Sequence, residues 1–129
     1  MIYGIGTDIV YIPRILKVLQ KYGEKFLNRV YTKKEIEISK EYNSQEMQAK
    51  HFAKRFAAKE AFVKALGTGF SQDIIMKDIE IYNDSQGKPC VDISKNLIHQ
   101  NILTHLSLSD DKDYAIAFVV ICNCSPFFS

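Results

Sequence analysis

The chain has 129 residues, 47% of them hydrophobic and 25% charged, with a formal net charge of +2. This profile predicts one globular domain spanning 1–129 and excludes a disordered chain. No apolar run approaches the roughly 20 residues that a membrane-spanning helix needs, and no basic region followed by an apolar core marks a secretory signal. The near-neutral total hides an asymmetry. Residues 1–66 hold thirteen Lys and Arg against seven Asp and Glu, whereas residues 67–129 hold four against eight. A basic half of this kind can steer an acidic partner. Nucleic acid is disfavoured as that partner, because no stacking aromatics are interleaved with a basic stripe.

The segment Met1–Val10 is rich in β-branched and aromatic residues and predicts a strand. Gly4 and Gly6 share one face of it and leave that face bare, as happens where a backbone or a ligand packs closely. Asp8 falls on the same face by the period of two. An acid there needs a partner, water or a cation; the alternative is that it only ends the strand at a sheet edge. From Ile12 to about Tyr22, Ile15, Leu16 and Leu19 alternate with Arg14, Lys17 and Lys21, the pattern of an amphipathic helix with Pro13 in its first turn. A short helix over Glu24–Val30 follows. Thr32 with Glu35 three residues on is a capping-box pattern, opening a helix to about Glu41.

After a break at Tyr42-Asn43-Ser44, one long helix is predicted from about Gln45 to Leu66, dense in alanine and closed by Gly67. Phe52, Phe56, Val63 and Leu66 are expected to form its buried stripe. Glu60 and Lys64 are four apart and therefore project from the same side. A carboxylate able to hold a metal and an ammonium able to reach a phosphate are thus presented together. The same spacing also describes a common surface pair contributing roughly 0.2–0.5 kcal/mol. Ala57, Ala61 and Ala65 beside them are small enough to admit another chain or a ligand.

Beyond the Gly67-Thr68-Gly69-Phe70 turn the pattern changes to strands. Ile79–Tyr82 and Cys90–Ile93 flank a segment rich in turn formers, the signature of a hairpin. Ser94 to about Gln100 reads as a short helix. His105–Ser109 and Tyr114–Ile121 read as strands joined at 110–113. Three cysteines, with Cys90 in a strand and Cys122 and Cys124 in the tail, lack zinc-site spacing and predict free thiols. His105 is expected to begin its strand in a structural role, and His51 and His99 to lie at the surface or core edge. The elements sum to an α+β fold, its longest helix packed on a mostly antiparallel sheet.

Two of these segments, Gly4-Ile5-Gly6-Thr7-Asp8-Ile9-Val10 and the run from Arg55 to Gly69 (RFAAKEAFVKALGTG), together resemble the holo-acyl-carrier-protein synthases, small 4′-phosphopantetheinyl transferases of fatty-acid synthesis. Asp78-Ile79-Glu80-Ile81 with Gly87-Lys88-Pro89, and His105-Leu106-Ser107-Leu108-Ser109 with Tyr114-Ala115-Ile116-Ala117, follow in the family's order. The similarity runs from residue 1 to about 121; the tail over 122–129 departs from the family pattern.

The resemblance implies the phosphopantetheinyl-transferase fold and a homotrimer with active sites between subunits. It implies transfer of the 4′-phosphopantetheine arm of coenzyme A to a serine of apo acyl carrier protein, with adenosine 3′,5′-bisphosphate as the other product. It implies magnesium, with manganese as an alternative, held by Asp8 and Glu60. Lys64 then serves the pyrophosphate, Lys59 is a second phosphate contact, and Gly67, Thr68 and Gly69 offer backbone to a phosphate. Either Glu60 or a metal-held water takes the serine proton. Arg14 and Arg55 are implied to dock the acidic carrier, with Lys17 and Lys21 extending the basic face. Many family members carry a histidine for the 3′-phosphate where this chain has Asp110, and that role does not transfer to an acid. The expected compartment is the cytoplasm, or a plastid if a transit peptide has been removed. Alternatives are a relative acting on another carrier and a non-catalytic adaptor.

Overall fold

The computed structural model describes residues 1–70, 74–93 and 101–124. Strand β1 (Ile2–Tyr11) leads directly into α1 (Ile12–Tyr22), followed by α2 (Glu24–Val30), α3 (Lys33–Ser39) and the long α4 (Gln45–Leu66). A one-turn 3₁₀ helix, Met76–Asp78, precedes β2 (Ile79–Asn83) and β3 (Pro89–Ile93), and β4 (Ile102–Asp111) and β5 (Tyr114–Asn123) complete the described chain. The expected α+β architecture is therefore present. β1, β5 and β4 form one antiparallel sheet in that order, and β2 and β3 a second antiparallel pair.

Local chemistry explains the helical boundaries. Pro13 sits in the first turn of α1, where its missing N–H has no helical partner to lose. The Ile12 amide donates to the Asp113 carbonyl at 2.7 Å, tying the start of α1 to the β4–β5 turn. Thr32 closes the predicted capping box: its hydroxyl accepts from the Glu35 amide at 3.3 Å and its own amide donates to Glu35 Oε1 at 2.8 Å. Ser44 caps α4 through the Met47 amide, and Gly67 ends it in the left-handed region at φ 82°. The 3₁₀ turn had no signal in the sequence. β4 and β5 are longer than predicted, so Cys122 lies inside β5 rather than in the tail, and His105 lies within β4 rather than at its start. The three cysteines are free. The proposed helix over 94–100, His99 and the segment 125–129 fall outside the described residues.

The core lies between α4 and the inner face of the three-stranded sheet. Gly4 and Gly6 present backbone to backbone: a Cβ at Gly4 would stand 2.0 Å from the Ala65 carbonyl oxygen, and one at Gly6 2.0 Å from that of Ala61. Ala61, Ala65, Ala115 and Ala117 around this contact are buried. The small residues of α4 thus admit β1 of the same chain. The buried surface of α4 is also wider than a stripe. Phe52 and Val63 are buried but Phe56 and Leu66 only partly so, while Ala49, Ala53, Ala57, Ala58 and Phe62 are inside. Replacing Gly6 by alanine should destabilise the fold by about 1–3 kcal/mol or more, the cost of forcing atoms into a packed interface. Urea unfolding checks this, and an unchanged midpoint would contradict the close contact.

Candidate active site

On the inner face of β1, the position after Gly4 and Gly6 is Asp8, only partly exposed. Because the glycines bring α4 close, Lys64 reaches across to it. Lys64 Nζ lies 3.2 Å from Asp8 Oδ1 and donates to the Thr7 carbonyl at 3.0 Å. Glu60, one turn back on the same side of α4, completes the group. Its pKa is raised, first by burial and then by repulsion from Asp8, with Lys64 opposing. No hydrogen bond to the Glu60 carboxylate occurs among the described residues. Two carboxylates brought to one side of the β1–α4 contact, beside one ammonium, make an all-oxygen donor pair for a hard cation. Among the described residues no cluster of three or more His, Cys, Asp or Glu forms a closed metal cage. The donor set nevertheless fits magnesium, which commonly takes one or two carboxylates and fills its other positions with water and phosphate.

Other predicted site residues are placed differently. Lys59 does not join this group. It is fully buried, and its ammonium donates to Glu35 Oε1 at 2.7 Å, the Val30 carbonyl at 2.8 Å and the Met76 carbonyl at 3.0 Å. All three protons are used, so Lys59 is not available to a coenzyme A phosphate. Burial lowers its pKa, and Glu35 opposes that shift. Arg55 is 5% exposed, with Nε unpartnered, and so does not belong to a surface that docks a carrier. The Gly67 amide donates to the Val63 and Lys64 carbonyls, closing the helix, which removes it as a phosphate donor. Thr68 and Gly69 are exposed, and the Thr68 hydroxyl donates to the Gly69 carbonyl at 3.2 Å.

Arg14, Lys17 and Lys21 are exposed along α1. Next to them sequence reasoning missed a cavity of about 640 Å³ lined by Val18, Tyr22, Lys25, Phe26 and Arg29, between α1 and α2. Its signal was the spacing of Val18, Tyr22 and Phe26 among basic residues. Asp110, where the family histidine was sought, pairs with Lys54 at 3.2 Å and Lys50 at 3.5 Å. Burial would raise its pKa, but the hydrogen bond and charge of Lys54, aided by Lys50, outweigh this and hold it below the usual value. His105 is exposed on the outer face of the sheet.

The sequence and the fold agree with known proteins. Residues 4–119 match the profile of the 4′-phosphopantetheinyl transferase superfamily. A holo-[acyl-carrier-protein] synthase of Wolbachia pipientis subsp. Culex pipiens is 78% identical over 122 residues, covering 95% of this chain and 98% of the relative. The chain belongs to the holo-[acyl-carrier-protein] synthase family. Among solved structures, the Bacillus anthracis holo-(acyl-carrier-protein) synthase in complex with CoA (3′,5′-ADP) superposes with a TM-score of 0.80 at 40% identity, covering 94% of this chain and 96% of that one. The Helicobacter pylori synthase in complex with coenzyme A gives 0.80 at 35% identity, covering 92% and 99%.

One buried histidine of this synthase-family chain sets a pH dependence. His51, expected at the surface or core edge, is 2% exposed. Its Nε2 lies 3.0 Å from the Glu35 carbonyl, an acceptor, so Nε2 carries the proton and Nδ1 is bare and unpartnered. Burial, and then the charge of Arg55, push its pKa from 6.5 to about 4. Between those values the unfolded chain binds the proton and the folded chain does not. Stability should therefore be full above pH 6.5 and fall by on the order of 2–3 kcal/mol as pH drops toward 4. Comparing urea unfolding of the native chain and His51→Gln from pH 7 to 4.5 isolates this contribution; identical slopes would contradict it.

Proposed function

We propose that this chain transfers the 4′-phosphopantetheine group from coenzyme A to a serine of apo acyl carrier protein, yielding holo carrier and adenosine 3′,5′-bisphosphate, with magnesium held by Asp8 and Glu60. The observation that carries this reading is the meeting of Asp8, Glu60 and Lys64 where α4 crosses β1, in a family whose Bacillus anthracis and Helicobacter pylori members are solved in complex with coenzyme A.

In the reaction, the serine oxygen bonds to the β-phosphorus of the pyrophosphate, and the bond from that phosphorus to the bridging oxygen breaks. The leaving group is the adenosine bisphosphate. Lys64 is poised to exchange its Asp8 contact for the pyrophosphate and to stabilise the charge that gathers there. The serine proton passes to Glu60 or to a water held beside it. Magnesium, when bound, supplies charge neutralisation at the phosphate oxygens.

The carrier docks along α1 and α2. Arg14, Lys17, Lys21, Lys25 and Arg29 offer positive charge, and Val18, Tyr22 and Phe26 an apolar recess beside it. That combination suits an acidic helix with apolar residues on one side. The chain assembles as a homotrimer through the outer face of the three-stranded sheet. Support for this comes from Tyr3, Ile5, Ile9, Leu103, Ile116 and Phe118, all between 42% and 60% exposed on that face. An apolar patch of this extent marks an interaction surface. No helix among the described residues is long and apolar enough to cross a membrane, and the bacterial source of the 78%-identical relative supports the cytoplasm over a plastid.

Mass spectrometry of apo acyl carrier protein incubated with this chain and coenzyme A should reveal one added phosphopantetheine only when magnesium is present. Asp8→Ala and Glu60→Ala should each cut the rate by about 10²-fold or more while circular dichroism stays unchanged. Near-native turnover in either would remove the metal assignment. Reversing charge with Arg14→Glu should raise KM for the carrier several-fold and weaken its salt dependence. Unaltered values would move the docking surface elsewhere.

A further inference from the structure

Helix α4 carries the working carboxylate, so whatever sets its rotation sets the site. At 100° per residue, Lys59 points about 160° away from Ala61, and Glu60 projects between them. Ala61 and Ala65 face the glycines of β1. That contact is backbone against backbone. It fixes how near the helix lies but offers no directional bond against rotation about the helix axis.

On that side the half-exposed Lys64 ammonium bonds Thr7 and Asp8; the buried directional bonds lie on the other side. Lys59 Nζ binds three acceptors from three different places: Glu35 on α3, the Val30 carbonyl at the end of α2, and the Met76 carbonyl before β2. Glu35 is equally occupied. Its Oε1 also accepts from the Thr32 amide and its Oε2 from the Ile81 amide at 2.8 Å. Both side chains are 0% exposed, and the ammonium stands 5.2 Å from the Tyr31 ring centre. Through one ion pair, α4 is thus pinned to α2, α3, the 3₁₀ turn and β2, immediately beside Glu60.

We propose that the buried Lys59–Glu35 pair is the positioning element that holds α4 in the rotation that places Glu60 against Asp8. With side-chain tips about 5–6 Å from the helix axis, a turn of roughly 20° would move Glu60 by about 2 Å. A misplacement of about 1 Å can cost about 10²-fold in rate. Lys59 and Glu35 act through Glu60 and touch no substrate. The inference rests on the proposed function only in taking Glu60 as the working carboxylate.

The test uses the full chain carrying Lys59→Met together with Glu35→Gln, which removes both buried charges and so leaves neither orphaned. A crystal structure of this variant should have α4 rotated, with the Lys64–Asp8 contact broken. Mn²⁺ affinity, read by electron paramagnetic resonance, should fall at least five-fold. Per folded molecule, kcat should fall at least ten-fold with carrier KM within two-fold of native. A variant with α4 in its native rotation, or one that melts earlier but keeps native kcat and Mn²⁺ affinity, would overturn the proposal and leave the pair a purely structural one. If the native chain transferred nothing, the functional reading would fail, while helix rotation would still decide the positioning claim. Should the double variant not fold, the isosteric Glu35→Gln alone is read by the same measurements, with the same outcomes deciding.

Discussion

The structure depends on a contact between two backbones. Gly4 and Gly6 leave room for the carbonyl oxygens of Ala65 and Ala61 where any Cβ would stand 2.0 Å away. Without that approach, α4 would lie farther from the sheet, and Lys64 would not span the gap to Asp8. The next inward position of β1 after the two glycines is the acid itself. Packing and the placing of charge are therefore written into the same few residues, and the close approach of helix to strand is what brings the two carboxylates together.

Asp8 and Glu60 repel each other where β1 meets α4. Burial and Asp8 both raise the pKa of Glu60, and Lys64 offsets only part of the repulsion. Groups held in such tension mark functional sites more often than structural ones. The interior contains a contrasting arrangement on the opposite side of α4. There Lys59 and Glu35 satisfy each other and four backbone groups, so their charges are confined to holding elements together. The same helix thus carries one partly exposed charged cluster and one closed on itself.

Much of this was legible in the sequence because local chemistry decides it. Pro13, the Thr32–Glu35 capping box, Ser44 and Gly67 mark helix boundaries, and the bare face of β1 announced a close approach. The face that carries Asp8 follows from a period of two and the shared side of Glu60 and Lys64 from a spacing of four, while their joining into one group is implied by the family resemblance rather than by either period. What stayed hidden depends on partners distant in sequence. Lys59 and Arg55 look like surface residues on a helix whose buried side is taken to be one stripe. Yet alanines at 49, 53, 57, 61 and 65, with Ala58 and Phe62, bury α4 nearly all round, so charged residues fall inside too. The partner of Lys59 is 24 residues away, and the capping box of Thr32 by itself accounts for an acid at Glu35. Asp110 likewise depends on Lys50 and Lys54 from α4, about which its own strand says nothing.

The most direct test of the account is a crystal structure of this chain grown with coenzyme A and magnesium. The account predicts a magnesium ion between the carboxylates of Asp8 and Glu60, with the pyrophosphate against Lys64 and Lys59 still buried on Glu35. Coenzyme A bound with its pyrophosphate away from Asp8, Glu60 and Lys64, and no cation between those carboxylates, would contradict it.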